Sequence, residues 1–409
     1  MRLFYALIVG VALPSAALAG PLRFDDALAK ARADAPSIKA KVLAADATRS
    51  ARMAAGQLPD PKLGLGIDSF PISGPLAFQP SRDNFTWARI GVSQDIPNLA
   101  KRRAQHGRAD ADIAVAEAAA AVELRVVEVH TAIAWINLAY AERRLVALDD
   151  VLARLGPIVR TSPSAVASGN ARPAQTLAGR AALARLQDRR DELVSGVARA
   201  KAELTRWTGE ADPEIAGSLP DATVDPARLR TGLEKQPALV LLAAQADRAD
   251  ANLRLAQADR RPDFGVDLSY QRRDPRFGDY VSAGVTIGLP LFKKNRQNPV
   301  IAARAADAGA ARADADAALR ALTADLDAGL ADHVMHHEQW MRARDVLQPL
   351  AQERVTLEVP SYAAGRASLI ELVDAHTALA DATLETLDRE ATVAADGVRL
   401  NILFGNDGR

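Results

Sequence analysis

Two segments, Arg89-Ile-Gly-Val-Ser-Gln-Asp-Ile-Pro97 and Val281-Ser-Ala-Gly-Val-Thr-Ile-Gly-Leu-Pro290, decide how this chain folds. In each, apolar side chains alternate with small or polar ones until a proline ends the run. This alternation is the pattern of a β-strand with one apolar face. Gly91 and Gly284 hold equivalent places in the two segments, 193 residues apart. The chain therefore contains the same strand twice.

The duplication extends outward from these strands. Gly169 and Gly365 are 196 residues apart, and Lys101 and Lys294 are 193 apart. Each half contains a helix, a pair of strands, a very long helix and a returning helix, so an internal repeat is the economical interpretation. The predicted divisions are a signal segment at 1–19, a first repeat at 20–208, an equatorial linker at 209–236 and a second repeat at 237–409.

The alternation predicts four strands, at about 62–70, 85–96, 263–272 and 280–289. About ten tilted residues of this kind cross a bilayer. Aromatic side chains cluster at the strand ends that face the connecting loops, as an interfacial belt would: Phe70, Phe85, Trp87, Tyr270, Phe277 and Tyr280. The alternative is a soluble pair of hairpins packed on helices.

Long helices are predicted at about 98–159 and 296–359. Apolar residues in the first recur in steps of three and four, which favours a coiled-coil-like seam. Its members are Val122, Val126, Val129, Ile133, Ile136 and Tyr140. The second helix carries Leu319, Leu322, Leu326 and Leu330 in comparable steps.

The composition excludes several classes of protein. Of 409 residues, 49% are hydrophobic but only 4% aromatic, which favours helices packed along their length over a compact aromatic core. Lys+Arg and Asp+Glu balance at 51 each, so no net field attracts nucleic acid. The absence of Cys excludes disulfides, thiolate metal sites and a lipidated N-terminal cysteine.

The N-terminus has the pattern of a secretory signal. Arg2 precedes an apolar run and Ala17-Leu18-Ala19 forms a small-residue cleavage site. The alternative is an N-terminal helix of a cytoplasmic protein. If the chain is exported and its strands enter lipid, they must close into a barrel. Four strands are too few for a single-chain barrel, so copies of the chain would share one.

The whole mature chain resembles the TolC-type outer-membrane efflux family. Three segments carry the resemblance: Leu58–Ile67, Arg89–Pro97 and Tyr362–Ala375. The tract Leu58–Arg103 is most similar to the heavy-metal resistance branch. The resemblance implies a mostly α fold with a small transmembrane β part. It also implies a homotrimer whose twelve-stranded β-barrel, four strands per chain, continues into a long α-helical barrel with a mixed equatorial region.

The resemblance also implies function and location. Such a trimer is the passive exit duct of a tripartite pump, with a periplasmic adaptor and an inner-membrane transporter of the RND type. It lies in the outer membrane of a Gram-negative bacterium and extends into the periplasm. No catalytic constellation and no cofactor are expected. A duct for heavy-metal cations is predicted. The alternatives are a duct for organic toxicants and a periplasmic coiled-coil scaffold.

Candidate functional residues follow from the helix-to-helix turns. Gly169, Gly365, Arg366 and Ser368 are expected at the adaptor-contacting tip, unless the glycines only form turns. Glu371 and Asp374, three residues apart, are the candidate channel constriction, because the family places acidic side chains there. The alternative is a solvated acidic face that continues to Asp381, Glu385 and Asp388.

Two weaker candidates remain. His333 and His337, one helical turn apart, have the spacing of a shared metal site, although His333 also fits a packed core position. Basic clusters follow the second strand of each pair, at Lys101-Arg102-Arg103 and at Lys293-Lys294 with Arg296. They are candidates for contact with phosphate headgroups of outer membrane lipid, and a solvated helix start is the alternative.

Overall fold

The computed structural model describes residues 21–167 and 173–405. The predicted signal segment at 1–19 and Gly169 therefore lie outside the described residues. The described helices are α1 (Phe24–Asp34), α2 (Pro36–Ala54), α3 (Leu99–Ala167), α4 (Pro173–Thr208), α5 (Pro226–Thr231), α6 (Pro237–Ala258), α7 (Gln297–Arg342), α8 (Gln348–Ala363) and α9 (Leu369–Phe404). The described strands are β1 (Lys62–Asp68), β2 (Trp87–Ile96), β3 (Asp263–Arg272) and β4 (Tyr280–Gly288). A mostly helical chain with a small β part is confirmed.

The chain divides into two compact units. The first, called the helical unit, comprises the residues up to Ala35, Val126–Pro226 and Ala328–Leu403. The second, called the sheet unit, comprises Pro36–Arg125, Ala227–Asp327 and the residues from Phe404. Each unit draws on both halves of the sequence, so the compact units do not coincide with the predicted repeats, which remain a division of the sequence.

The sheet unit contains one antiparallel sheet in the order β1-β2-β3-β4. Its strands lie within two residues of the predicted bounds. The central pairing joins β2 to β3, with Ile90 opposite Tyr270. Strands from the two halves of the sequence therefore form one continuous surface.

The register gathers the alternating apolar side chains on one face of the sheet. Leu65 is opposite Ile90, and Tyr270 is opposite both Ile90 and Val281. Directly opposite residues share a face, so the apolar positions of all four strands lie together. This face is exposed in the chain, with 72% of Leu65 and 71% of Val281 accessible. The other face carries the small and polar residues.

The equivalent glycines of the two strand motifs both lie beside a neighbouring strand. A Cβ on Gly91 would lie 2.9 Å from the Cβ of Ser269, and one on Gly284 would lie 2.5 Å from Oδ1 of Asp267. Glycine at both positions keeps room for the side chain on the adjacent strand. The repeated Gly-Val pattern thus has a packing reason in each copy.

At the start of α3, the first basic cluster is held inside the sheet unit. Lys101 Nζ lies 2.9 Å from a carboxylate oxygen of Asp259, and this hydrogen bond raises the pKa of Lys101. Arg102 Nε donates to the carbonyl of Gly56 at 2.7 Å. Lys101 and Arg102 are therefore tied to the sheet unit, whereas Arg103 is exposed, and contact of this cluster with lipid headgroups stays a prediction. Asn98 caps this end, since its side chain accepts from the Lys101 amide at 2.9 Å.

The helical unit has its main core around α3. Trp135 and Tyr140 are almost fully buried, and Phe24 packs edge-on against Trp135 with ring centroids 5.5 Å apart. Trp135 Nε1 donates to the carbonyl of Leu22 at 3.0 Å. Leu22 also forms an isolated parallel bridge with Ile215. These contacts fix the segment before α1 against the predicted equatorial linker.

The predicted seam in α3 is only partly right. Val126 is exposed, whereas its neighbour Val127 is fully buried. From Val127 to Ala141 almost every turn of α3 is buried on several sides, so burial does not follow a two-column heptad. Within the described ranges, no helix is both long enough and apolar enough to cross a membrane.

The second long helical stretch also differs from the prediction. It is regular to Arg342, passes through a π-helical segment at Ala343–Leu347, and resumes as α8. α8 ends at Ala363, beyond the predicted end at Val359 and with Pro360 inside its last turn. The turn that leads to α9 is therefore shorter than expected.

Candidate functional site

The turn between α8 and α9 is a compact helix-terminating motif. Gly365 has a backbone φ of +69°, in the left-handed region that glycine adopts more easily than other residues. The Arg366 amide donates to the carbonyl of Ser361 at 2.8 Å, and the Gly365 amide donates to that of Tyr362 at 3.0 Å. These two bonds form a Schellman motif. The prediction that Gly365 forms a turn is confirmed, and the chain immediately after it is exposed at Arg366.

A capping box begins α9. The Ser368 amide donates to Oε2 of Glu371 at 2.6 Å, and the Glu371 amide donates to Oγ of Ser368 at 3.2 Å. These bonds hold the pKa of Glu371 below its usual range. The sequence carries this signal as Ser-x-x-Glu, and the folded turn joins Ser368 and Glu371, which were predicted for two different roles. Both are therefore structural as well as candidate functional residues.

The first residue of α9 anchors the turn to the rest of the helical unit. Leu369 is 1% exposed and packs in a cluster with Val159 and Leu186. Gly179 leaves room for it, because a Cβ there would lie 3.4 Å from Cδ2 of Leu369. Gly365 and Arg366 are thus presented on a fixed support, which suits a docking tip.

Replacing the capping hydroxyl tests this account of the tip. Ser368→Ala is expected to speed hydrogen exchange of the first-turn amides of α9 about fivefold, since losing an N-cap costs about 1 kcal/mol. Ser361→Ala is the matched control, because its hydroxyl only donates to the carbonyl of Leu357 within α8. Equal exchange in both variants would contradict the capping role.

The acidic pair differs from the acidic residues that follow it. Glu371 and Asp374 are exposed and, in the described part of the chain, neither forms an ion pair. The later acids are each paired with an arginine: Asp381 with Arg189, Glu385 with Arg389, and Asp388 with Arg144. Of the acidic face predicted as the alternative, Glu371 and Asp374 are therefore the two carboxylates without an ion pair in the described part of the chain.

The histidines do not come together as a metal site. The rings of His333 and His337 have centroids 6.5 Å apart, and Nδ1 of His336 lies 2.7 Å from Oδ2 of Asp396 instead. Across residues 21–167 and 173–405, no three His, Cys, Asp or Glu residues are grouped so that they could hold a metal ion. Burial lowers the pKa of His333, as expected for the packed alternative. The metal role remains a prediction without a third ligand.

Sequence reasoning did not single out His376. It is 3% exposed on α9, and burial lowers its pKa. Within residues 21–167 and 173–405, neither of its ring nitrogens has a hydrogen-bond partner. A lone histidine among apolar residues gives no sequence signal.

The chain is similar to known outer membrane efflux proteins in sequence. Residues 229–406 match the family model described as outer membrane efflux protein. The cobalt-zinc-cadmium resistance protein CzcC of Cupriavidus metallidurans is 22% identical over 377 residues, which cover 90% of this chain and 86% of CzcC. The chain is thus similar to outer membrane efflux proteins, both in its second half and along most of its length.

Solved structures show the same fold. CusC has a TM-score of 0.80 at 14% identity, covering 93% of this chain and 92% of that chain. The Campylobacter jejuni CmeC outer membrane channel has a TM-score of 0.79 at 13% identity, covering 93% of this chain and 85% of that chain. Both matches extend over almost the full length of this chain and show that it has the same fold.

These similarities support the function of an outer membrane efflux channel at a coarse level. Proteins of the matched family and CusC-like channels are passive conduits, not enzymes. Channels of the outer membrane efflux protein family work in tripartite pumps with adaptor proteins and inner-membrane transporters. Homologues are outer membrane channels of Gram-negative bacteria.

Proposed function

We propose that three copies of this chain form the exit duct of a tripartite pump that exports heavy-metal cations. The observation that carries the membrane part is the exposed apolar face shared by all four strands, from Leu65 to Val281. Side chains of this size are costly to leave in water over such an area. Contact with lipid would remove these apolar side chains from water.

The sheet also explains the need for several copies. It is open, with β1 and β4 as its two edges. In lipid, the unpaired backbone groups of an edge cost several kcal/mol each, so the edges must pair with other chains. Three copies, each pairing its β1 with the β4 of a neighbour, give a closed barrel of twelve strands. The helices would continue it into the periplasm.

Charge at the periplasmic end supports a cation as cargo. Glu371 and Asp374 are exposed, and threefold symmetry would place six carboxylates around one axis. Such a ring attracts cations to the entrance. The relative CzcC is named for resistance to cobalt, zinc and cadmium, which favours divalent metal ions.

The exposed turn supplies the docking surface for the periplasmic adaptor. Gly365 and Arg366 are exposed, and Ser368 holds the start of α9 beside them. Gly169 is the equivalent residue in the first half and lies outside the described residues. An RND-type transporter would supply the energy, because channels of the matched family are passive conduits.

A growth assay tests the proposal directly. A deletion strain is compared with its complemented control on copper, silver, zinc, cobalt, cadmium and bile salts. Sensitivity to metals that complementation reverses is the expected result. Sensitivity to bile salts and dyes alone would keep the duct and reject the metal cargo.

Extraction of the protein tests the architecture separately. A duct should resist release from membranes except by detergent and should run as a heat-resistant trimer. Release in the soluble periplasmic fraction would contradict the duct and favour the scaffold.

A further inference from the structure

The segment after β4 presents apolar and basic side chains together. Leu291 and Phe292 are 74% and 72% exposed, and Lys293 and Lys294 follow them, also exposed. The Asn295 amide donates to the carbonyl of Phe292 at 3.2 Å, so the four side chains project from a turn. We call Leu291–Lys294 the basic turn.

The charges of the basic turn are free. In the described part of the chain, neither Lys293 nor Lys294 forms an ion pair. The position equivalent to Lys294 in the first repeat is Lys101, which is bound to Asp259 at 2.9 Å. The two halves therefore use the same sequence position differently, since Lys101 is paired with a carboxylate and Lys294 is exposed.

The basic turn lies at one end of the strands. Gly288, the last residue of β4, pairs with Asp263, the first residue of β3. The loops that carry Phe277 and Tyr280 are at the opposite strand ends. One end of the sheet is therefore aromatic, and the other carries lysines beside exposed Leu291 and Phe292.

We propose that the basic turn binds anionic phospholipid headgroups at the leaflet that faces the helices. Lysine ammonium groups attract lipid phosphate, while Leu291 and Phe292 reach the acyl boundary. A soluble anion would use the lysines but would leave both apolar side chains in water, so the lipid fits both parts. Because this site needs the sheet to lie in a bilayer, it rests on the proposed function.

The lipids that the purified protein retains in detergent measure binding at the basic turn. Purified protein is mixed with equal amounts of phosphatidylglycerol and phosphatidylcholine, and the retained lipids are counted by native mass spectrometry. Wild type is expected to retain more phosphatidylglycerol. Lys293→Gln/Lys294→Gln is expected to lower the ratio of the two retained lipids at least about fivefold, since one lysine near an anionic surface accounts for about that factor.

Matched variants separate charge from apolar contact. Lys39→Gln/Lys41→Gln removes the same charge from exposed positions on α2 of the same unit and should keep the wild-type ratio. Leu291→Ser/Phe292→Ser should reduce the retention of both lipids while the ratio stays above one.

Two results would overturn the site while the duct stands. One is a wild-type protein that needs detergent for extraction yet shows no preference for phosphatidylglycerol. The other is an equal loss of preference in the Lys293/Lys294 and Lys39/Lys41 variants. Release of wild-type protein without detergent would instead overturn the proposed function and the lipid site together.

Discussion

Neutralising the acidic pair with Glu371→Gln and Asp374→Asn is expected to raise single-channel conductance and to weaken block by a trivalent cation about tenfold or more. A ring of six carboxylates holds a multivalent cation strongly, and the variant retains none of that charge. Gln also serves in a capping box, so the start of α9 keeps its bond to Ser368. Planar-bilayer recordings with cobalt hexammine measure both quantities.

The control removes equal charge from the same helix. Asp381→Asn/Glu385→Gln changes two carboxylates that are already paired with Arg189 and Arg389. Conductance and block should change less than about twofold, since these charges are compensated and the control leaves Glu371 and Asp374 intact. Unchanged block in the Glu371/Asp374 variant would reject the constriction.

Acid should leave the block largely intact at moderately low pH. The pKa of Glu371 lies below its usual range because Ser368 donates hydrogen bonds to its carboxylate. A group with a lowered pKa stays ionised as pH falls, and its charge is lost only below the usual range near 4.3. The contribution of Glu371 to cation block should therefore be similar at pH 7 and at pH 5.

The strands could be predicted because their signal is local. Alternation over ten residues fixed both the bounds of β3 and the face that carries Leu268 and Tyr270. The pairing of β2 with β3 joins residues far apart in the chain, Ile90 with Tyr270, and the alternation did not predict it. The exposed apolar face is a direct result of that pattern.

Helix burial and charge pairing depend on distant residues, and here prediction failed. A heptad pattern assumes one partner helix, whereas α3 near Trp135 is surrounded on several sides, so Val127 is buried and Val126 is not. Lys101 and Lys294 have the same sequence context. Only the folded chain brings Asp259 to Lys101. The capping box of Ser368 and Glu371 could be predicted from the sequence. Whether these residues serve the cap or a functional role could not.

A methyl group at Gly397 is expected to destabilise the helical unit by about 1–3 kcal/mol, the usual cost of overpacking. Gly397 lies in α9, where a Cβ would be 2.2 Å from the carbonyl oxygen of Ala222. That segment is held in place, since Asn401 Nδ2 donates to the carbonyl of Thr223 at 2.9 Å and Asp221 Oδ1 accepts from the Thr223 amide at 2.9 Å. The backbone of Ala222 must move or α9 must shift.

The same glycine-to-alanine substitution at Gly196 should raise the free energy of unfolding instead of lowering it. Gly196 lies inside α4 of the same unit, and a Cβ there would meet no atom within 4 Å. Gly196→Ala is expected to stabilise by about 0.5–1 kcal/mol, because alanine favours the helix over glycine. Gly397→Ala gains the same propensity, so its net loss measures the clash with Ala222. Denaturant midpoints of the detergent-solubilised protein should move in opposite directions, and a rise in both would show that the segment at Ala222 yields freely.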